Sequence, residues 1–248
     1  MTAPVFLADG VDLTTAAEGT LIELTGAEGR HAATVRRIRP GERVDVADGA
    51  GLIAECVVTG TGPGSVTLRV QARHEVPVPD PRIVVVQALP KGDRAELATE
   101  TMTEVGVDVI VPFAAERCVA RWPAGDRAAK ALARWRSAAR EAAKQARRPR
   151  IPEVTELASA AEVSARLQAA SCGVILEPGA AAALSRLDLP THGDIVLVVG
   201  PEGGLSPGEL DAFAGAGATQ ARLGDSVLRA STAGAAAAAV LMARTGRW

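Results

Sequence analysis

The chain has 248 residues, a net charge of −2, 48% hydrophobic residues and 23% charged ones. That length suits one large domain or two smaller ones, and the apolar share excludes a chain disordered throughout. No apolar run reaches 18 residues, so no transmembrane helix is expected, and the charge balance excludes a uniformly basic nucleic-acid binder.

The first residues lack a charged n-region and an apolar h-region, so no signal peptide is expected. Residues 1–73 are rich in Gly, Val and Thr, and short alternating runs at 44–47, 52–58 and 65–70 read as strands. Glycine-bearing turns fall between them at 48–51 and 60–64. The pattern predicts a small β-barrel. Pro77, Pro79 and Pro81 then mark residues 74–82 as an extended, stiff linker and a domain boundary.

From residue 83 the pattern changes to α/β. Residues 83–89 form a continuous apolar strand, Asp93 is placed to cap a helix ending before Gly106, and 107–111 is the next strand. A long helix is predicted over 127–147. Leu132, Trp135, Ala139, Ala142 and Ala146 share its core face, and Arg136, Arg140 and Lys144 form a basic stripe. Further strands are expected at 173–176, 195–199 and 220–223, with helices near 161–170, 207–214 and 230–243. Strands alternating with helices imply a mostly parallel sheet with ligand sites at the strand carboxyl ends. The last helix is nearly all small residues, which suits a tight core, close packing behind a ligand site, or a dimer interface.

Charge is segregated. Residues 114–150 hold eleven Lys/Arg against three Asp/Glu, and residues 30–43 hold five Arg against one Glu. Two basic patches on an acidic chain point to a localised polyanion surface, or to solvated helix faces. Cys56, Cys118 and Cys172 are odd in number and scattered, as free thiols of a cytoplasmic protein would be. His31, His74 and His192 have no ligand spacing, so no metal is expected.

The chemistry concentrates at Gly200-Pro201-Glu202-Gly203-Gly204. It follows an apolar strand and precedes Ser206-Pro207-Gly208-Glu209, which has the form of a capping box with proline at the first helical position. Neither phosphate-binding glycine fingerprint occurs in the chain, and Glu202 would repel a phosphate. A ligand with a positive centre suits the turn better, although Glu202 could also serve only to tie the turn down.

This turn, together with Arg222-Leu223-Gly224 and Val227-Leu228-Arg229-Ala230-Ser231-Thr232-Ala233, closely resembles the RsmE family. These are S-adenosylmethionine-dependent methyltransferases of the SPOUT class that make N3-methyluridine in 16S ribosomal RNA. Gln87-Ala88-Leu89-Pro90-Lys91-Gly92, Glu104-Val105-Gly106-Val107 and Glu141 to Arg148 extend the resemblance along almost the whole chain. It implies a SPOUT-type trefoil-knotted α/β methyltransferase domain over 83–248, preceded by a PUA-like β-barrel that binds RNA. It also implies three cofactor loops: Leu176, Glu177 and Pro178; Val199, Gly200, Pro201, Glu202, Gly203 and Gly204; and Leu223, Gly224, Leu228, Arg229 and Thr232. Leu176, Leu223 and Leu228 are then walls for adenine.

Removing the uracil N3 proton needs a base or a cation that stabilises the developing anion, and Arg229 is the candidate cation. Many relatives carry Glu where this chain has Ser231: either that Glu is not the base, or another group such as Glu202 or Asp225 takes the role here. Arg36, Arg37, Arg39, Lys91, Arg117, Arg121, Gln145, Arg147 and Arg148 become RNA contacts; at Arg147 the family often has Gly. The implied partners are 16S rRNA or the 30S subunit and a second copy of the chain, in the cytoplasm and without a membrane. Two other functions remain open: a SPOUT methyltransferase on another RNA such as tRNA, and a non-catalytic RNA-binding assembly factor.

Overall fold

The computed structural model describes residues 3–92 and 94–248, so the cap expected at Asp93 lies outside the described residues. The chain forms two compact units. The first comprises Met1–Val78 with Ala143–Ile151, and the second Pro79–Ala142 with Pro152–Trp248.

In the first unit, β1 (Val5–Leu7), β2 (Leu21–Leu24), β3 (Arg43–Ala47), β4 (Leu52–Gly62) and β5 (Ser65–Glu75) make one sheet in the order β1-β3-β4-β5-β2. The β1–β3 pair is parallel and the other pairs are antiparallel. Strands β4 and β5 run several residues beyond the apolar alternation, because they pair with each other almost to their ends. Register shifts at Glu55/Cys56 and Val58/Gly60 let such long strands bend. Val66, Leu68 and Val70 alternate inward and pack with Phe6, Leu24, Val44, Val46 and Val58. A short helix α1 (Gly26–Arg30) continues into a π-helical turn, His31–Val35.

Residues 143–151, which the sequence assigns to the α/β part, cluster with this unit for identifiable reasons. Ile151 packs on Val5, Leu7 and Ala47, and its N–H donates to the Gly49 carbonyl at 2.9 Å. Lys144 Nζ donates to Glu28 Oε1 at 2.8 Å, with the two side chains only 11% and 5% exposed.

The second unit carries a seven-stranded parallel sheet. Its strands are β6 (Arg82–Ala88), β7 (Val109–Phe113), β8 (Glu153–Val154), β9 (Cys172–Leu176), β10 (Ala182–Ala183), β11 (Asp194–Val199) and β12 (Thr219–Arg222), in the order β10-β12-β9-β11-β6-β7-β8. Central strands β6 and β11 are apolar and buried along almost their whole length, as a sheet covered on both faces requires. The two-residue strands β8 and β10 are too short to leave a periodic signal. The helices are α2 (Arg94–Val105), α3 (Asp126–Gln145), α4 (Ala160–Ala169), α5 (Pro207–Gly215) and α6 (Ala230–Arg244). Residue Gly106 ends α2 at φ +112. No described helix is long and apolar enough to cross a membrane.

Small residues on α6 let it lie close on β6 and α2. A Cβ on Gly234 would meet Met102 Sδ at 3.0 Å, Gln87 Oε1 at 3.1 Å and Val85 Cγ1 at 3.4 Å, so any larger residue must push these side chains aside. Of the readings left open for this helix, close core packing is the one its buried face displays.

Candidate functional site

Strands β9, β11 and β12 are neighbours in the sheet, and the loops at their carboxyl ends meet around one cavity of about 530 Å³. The first loop contributes Leu176, Glu177 and Pro178. The second contributes Val199 and the whole Gly200–Pro201–Glu202–Gly203–Gly204 turn. The third contributes Leu223, Gly224, Leu228 and Arg229. Residues far apart in sequence thus converge because a parallel sheet places the carboxyl ends of its strands along one edge.

The structure adds Leu205, Ser226, Val227, Ala230 and Ala233 to the walls. Leu205, Val227, Ala230 and Ala233 are small or apolar and carry no chemical signature of their own, and Ser226 stands outside the motifs that carry the family resemblance. Thr232 stands apart from the lining. Its hydroxyl donates to the Arg229 carbonyl at 3.2 Å in the first turn of α6, so it is a helix-start residue.

Every part of the glycine turn is held. Leu205 Cγ would lie 3.2 Å from a Cβ on Gly200, and Gly204 sits at φ +71, so neither position accepts an ordinary side chain. Glu202 Oε1 accepts the Lys91 N–H at 3.2 Å, which ties the turn to the loop after β6. The Arg117 guanidinium donates to the carbonyls of Gly203 at 3.4 Å and Leu205 at 3.2 Å. Behind the turn the capping box is complete: Glu209 N–H donates to Ser206 Oγ at 3.3 Å, and Ser206 N–H to Glu209 Oε2 at 2.8 Å. The other oxygen of Glu209 accepts the Glu116 N–H at 2.8 Å, so this carboxylate also anchors the loop carrying Arg117.

Arg229 is exposed at the amino end of α6 and lines the cavity. Its guanidinium has no hydrogen-bond or ion-pair partner among the described residues. A cation at a helix amino terminus opposes the helix dipole, so local stability does not explain it. Of the candidate bases, Asp225 is exposed outside the lining and Glu202 is in it; Ser231, where many relatives carry Glu, is buried outside it.

The expected RNA contacts divide between the units. In the first, Arg36, Arg37, Arg39, Gln145 and Arg147 are exposed and Arg148 is half-buried. The second holds Lys91, Arg117 and Arg121. Both of these arginines are committed to main-chain carbonyls: Arg117 as above, and Arg121 to Ala115 at 3.1 Å and Glu116 at 2.7 Å. The basic stripe on α3 is likewise engaged. Arg136 bonds the Val154 carbonyl and Glu156, and Lys144 pairs with Glu28.

A model described as an RNA methyltransferase domain matches residues 78–242, and one described as an RNA methyltransferase PUA domain matches residues 24–71. The chain is 45% identical over 234 residues to ribosomal RNA small subunit methyltransferase E of Mycobacterium tuberculosis, covering 93% of this chain and 89% of the relative. It belongs to the ribosomal RNA small subunit methyltransferase E family.

Two solved structures extend the likeness to the fold. One, from Legionella pneumophila in complex with the cofactor SAM, superposes with a TM-score of 0.85 at 28% identity and covers 98% of each chain. The family's methyltransferase E from Neisseria gonorrhoeae, bound to S-adenosyl methionine, gives 0.84 at 28% identity and 98% of each chain. The parallel unit therefore has an α/β methyltransferase fold and the other unit is a PUA domain. The three-loop cavity has the chemistry of a ligand site. Its volume falls in the range of small-molecule pockets, and it combines apolar walls with two carboxylates, Glu177 and Glu202.

Proposed function

We propose that this chain methylates N3 of a uridine in 16S ribosomal RNA of the small subunit, with S-adenosylmethionine held in the three-loop cavity. The observation that carries the proposal is the convergence of three loops on one cavity that also contains an unpaired arginine. Leu176, Leu223 and Leu228 offer apolar walls for the adenine, and the main chain of residues 200–204 offers hydrogen bonds to the polar groups. Glu177 and Glu202 supply negative potential for the positive sulfonium. When bound, the cofactor supplies an electrophilic methyl group.

The neutral imide nitrogen of uracil is a poor nucleophile until it loses its proton. Arg229 stabilises the negative charge that develops on the ring, and its lack of a partner leaves the guanidinium free for that task. Glu202 is a cavity carboxylate with one oxygen outside the Lys91 contact, which supports it over Asp225 as the group that receives the proton. The target base has to leave its stack to reach this cavity.

In the same proposal residues 83–248 thread as a SPOUT trefoil knot, and residues 1–73 close as a PUA-like barrel. Arg36, Arg37, Arg39 and Arg147 touch phosphates. The protein acts as a cytoplasmic homodimer on 16S rRNA or the 30S subunit.

Calorimetry with S-adenosylmethionine, followed by labelled-cofactor assays on 30S subunits, naked 16S rRNA and tRNA, tests the reading. Expected are saturable cofactor binding and label on uracil N3 in 16S rRNA. Absence of binding at millimolar cofactor sinks the enzyme, and label confined to tRNA sinks the substrate.

A further inference from the structure

A second cavity, of about 500 Å³, lies in the α/β unit and shares no lining residue with the first. Its walls are Leu89, Pro90 and Gly92 after β6, Ala95 and Glu96 in the first turn of α2, the loop carrying Trp122 and Pro123, and the first half of α3. Trp122 is half-buried and stands edge-on to buried Trp135, with ring centroids 5.5 Å apart and planes at 88°. Three exposed cations, Arg127, Lys130 and Arg134, rise along α3 at helical spacing and line the same space.

Arg127 and Lys130 have no ion-pair partner among the described residues. Arg134 approaches Glu96 at 4.0 Å, but both side chains are largely exposed and the pair is weak. An indole beside two cations without ion-pair partners among the described residues, and a third only weakly paired, matches a single-stranded nucleotide, whose base stacks on an aromatic ring while its phosphates take the charges. An inorganic anion makes no use of the indole, and an apolar peptide makes no use of the cations.

The cavity is coupled to the first one. Pro90 and Gly92 line it, and between them Lys91 donates its N–H to Glu202 of the glycine turn. Arg121, also in its wall, braces the carbonyls of Ala115 and Glu116, and the N–H of Glu116 is fixed by Glu209 directly behind that turn.

We propose that this second cavity holds a nucleotide of the substrate RNA flanking the target uridine, so that RNA is gripped beside the methyl donor as well as by the PUA domain. The inference rests on the methyltransferase reading above. It is tested with the full chain, 30S subunits and S-adenosylmethionine.

Two variants separate charge from stacking: the double variant Arg127→Glu, Lys130→Glu, and Trp122→Leu with Trp122→Phe as its conservative control. The charge variant is expected to raise KM for 30S at least tenfold and to flatten the dependence of log KM on log salt. Trp122→Leu is expected to raise KM roughly tenfold with the salt slope kept, and Trp122→Phe to restore it. Calorimetric affinity for S-adenosylmethionine is expected to stay at the wild-type value in all three variants, and melting temperature in the charge variant; Trp122→Leu is expected to melt lower, because it loses the edge-on contact with Trp135. A wild-type KM in either the charge variant or Trp122→Leu overturns the proposal. If the unaltered protein neither binds the cofactor nor methylates 30S, it is the parent reading that fails.

Discussion

Arg147 stands where helices usually place glycine. Its N–H donates to the Lys144 carbonyl at 3.1 Å, the Arg148 N–H donates to the Ala143 carbonyl at 2.8 Å, and φ at Arg147 is +57. These two bonds close α3 with the reversed turn that favours a left-handed residue. A side chain there costs about 1–2 kcal/mol, against the roughly 0.5–1 kcal/mol of chain entropy that glycine loses on folding. Arg147→Gly is therefore expected to raise stability by roughly 0.5–1 kcal/mol in urea denaturation while weakening RNA binding. Loss of stability together with unchanged RNA affinity would show that the arginine serves the fold. Arg37, at φ +52 in the same unit, presents the same strain on another exposed arginine. Nearby, burial and then the Glu55 charge push the Asp45 carboxyl up from its usual range. A raised acid holds its proton longer in the folded state, so its contribution to stability is full at low pH and is lost as pH rises through the folded value. Asp45→Asn is expected to melt higher than the parent at neutral pH, with the gap closing in acid. A gap that is constant with pH would exclude that origin.

At the scale of elements, α5 follows the glycine turn and α6 lines the three-loop cavity, and the two are fixed by different means. Helix α5 is fixed by its capping box. Ser206→Ala is expected to cost about 1 kcal/mol, as lost caps generally do. Replacing Glu209 is expected to cost more, because the same carboxylate holds the Glu116 N–H. Equal losses for the two would mean that the Glu116 bond contributes nothing. Helix α6 instead relies on smallness: Gly234→Leu forces Met102 and Gln87 apart and is expected to cost about 1–3 kcal/mol, measured by thermal unfolding. Since the first turn of α6 carries Arg229, Ala230 and Ala233 into the cavity wall, the same variant is expected to weaken cofactor binding. A variant with native stability and affinity would show that the helix has room to shift.

Across the whole molecule, α3 belongs to both units: its residues as far as Ala142 cluster with the sheet of seven strands, and those after it with the PUA domain. The buried Lys144–Glu28 pair fastens that last turn, and Glu28 Oε2 also accepts the Leu7 N–H at 3.1 Å. Lys144→Ala leaves a buried carboxylate without its cation and is expected to cost about 3–5 kcal/mol, whereas the double variant Lys144→Met, Glu28→Gln should recover much of this. If the double variant is no better than the single one, the cost lies in packing and not in charge. The same burial controls thiol chemistry. Desolvation pushes the Cys56 thiol up to about 12, so it is expected to resist alkylation in native protein.

The sequence by itself determined the longer strands and helices of the α/β unit in their order, the capping box and the glycine turn. Each of these is local, written in periodicity or in residues with a special conformational or hydrogen-bonding capacity. The sequence pointed to the three loops of the cavity only through the family resemblance. It also carried the family, through the ordered set of motifs. Only tertiary structure decided that residues 143–151 pack with the first unit, that Lys144, Arg117 and Arg121 are occupied with a carboxylate and with main-chain carbonyls, and that Thr232 stands outside the cavity wall. Only tertiary structure, too, brought Trp122 beside Arg127 and Lys130. A basic residue looks the same in sequence whether it faces solvent or a carbonyl, because its partner is chosen by chain segments as far as 116 residues away. Charge count locates a patch, and packing decides which of its charges remain free to meet a ligand.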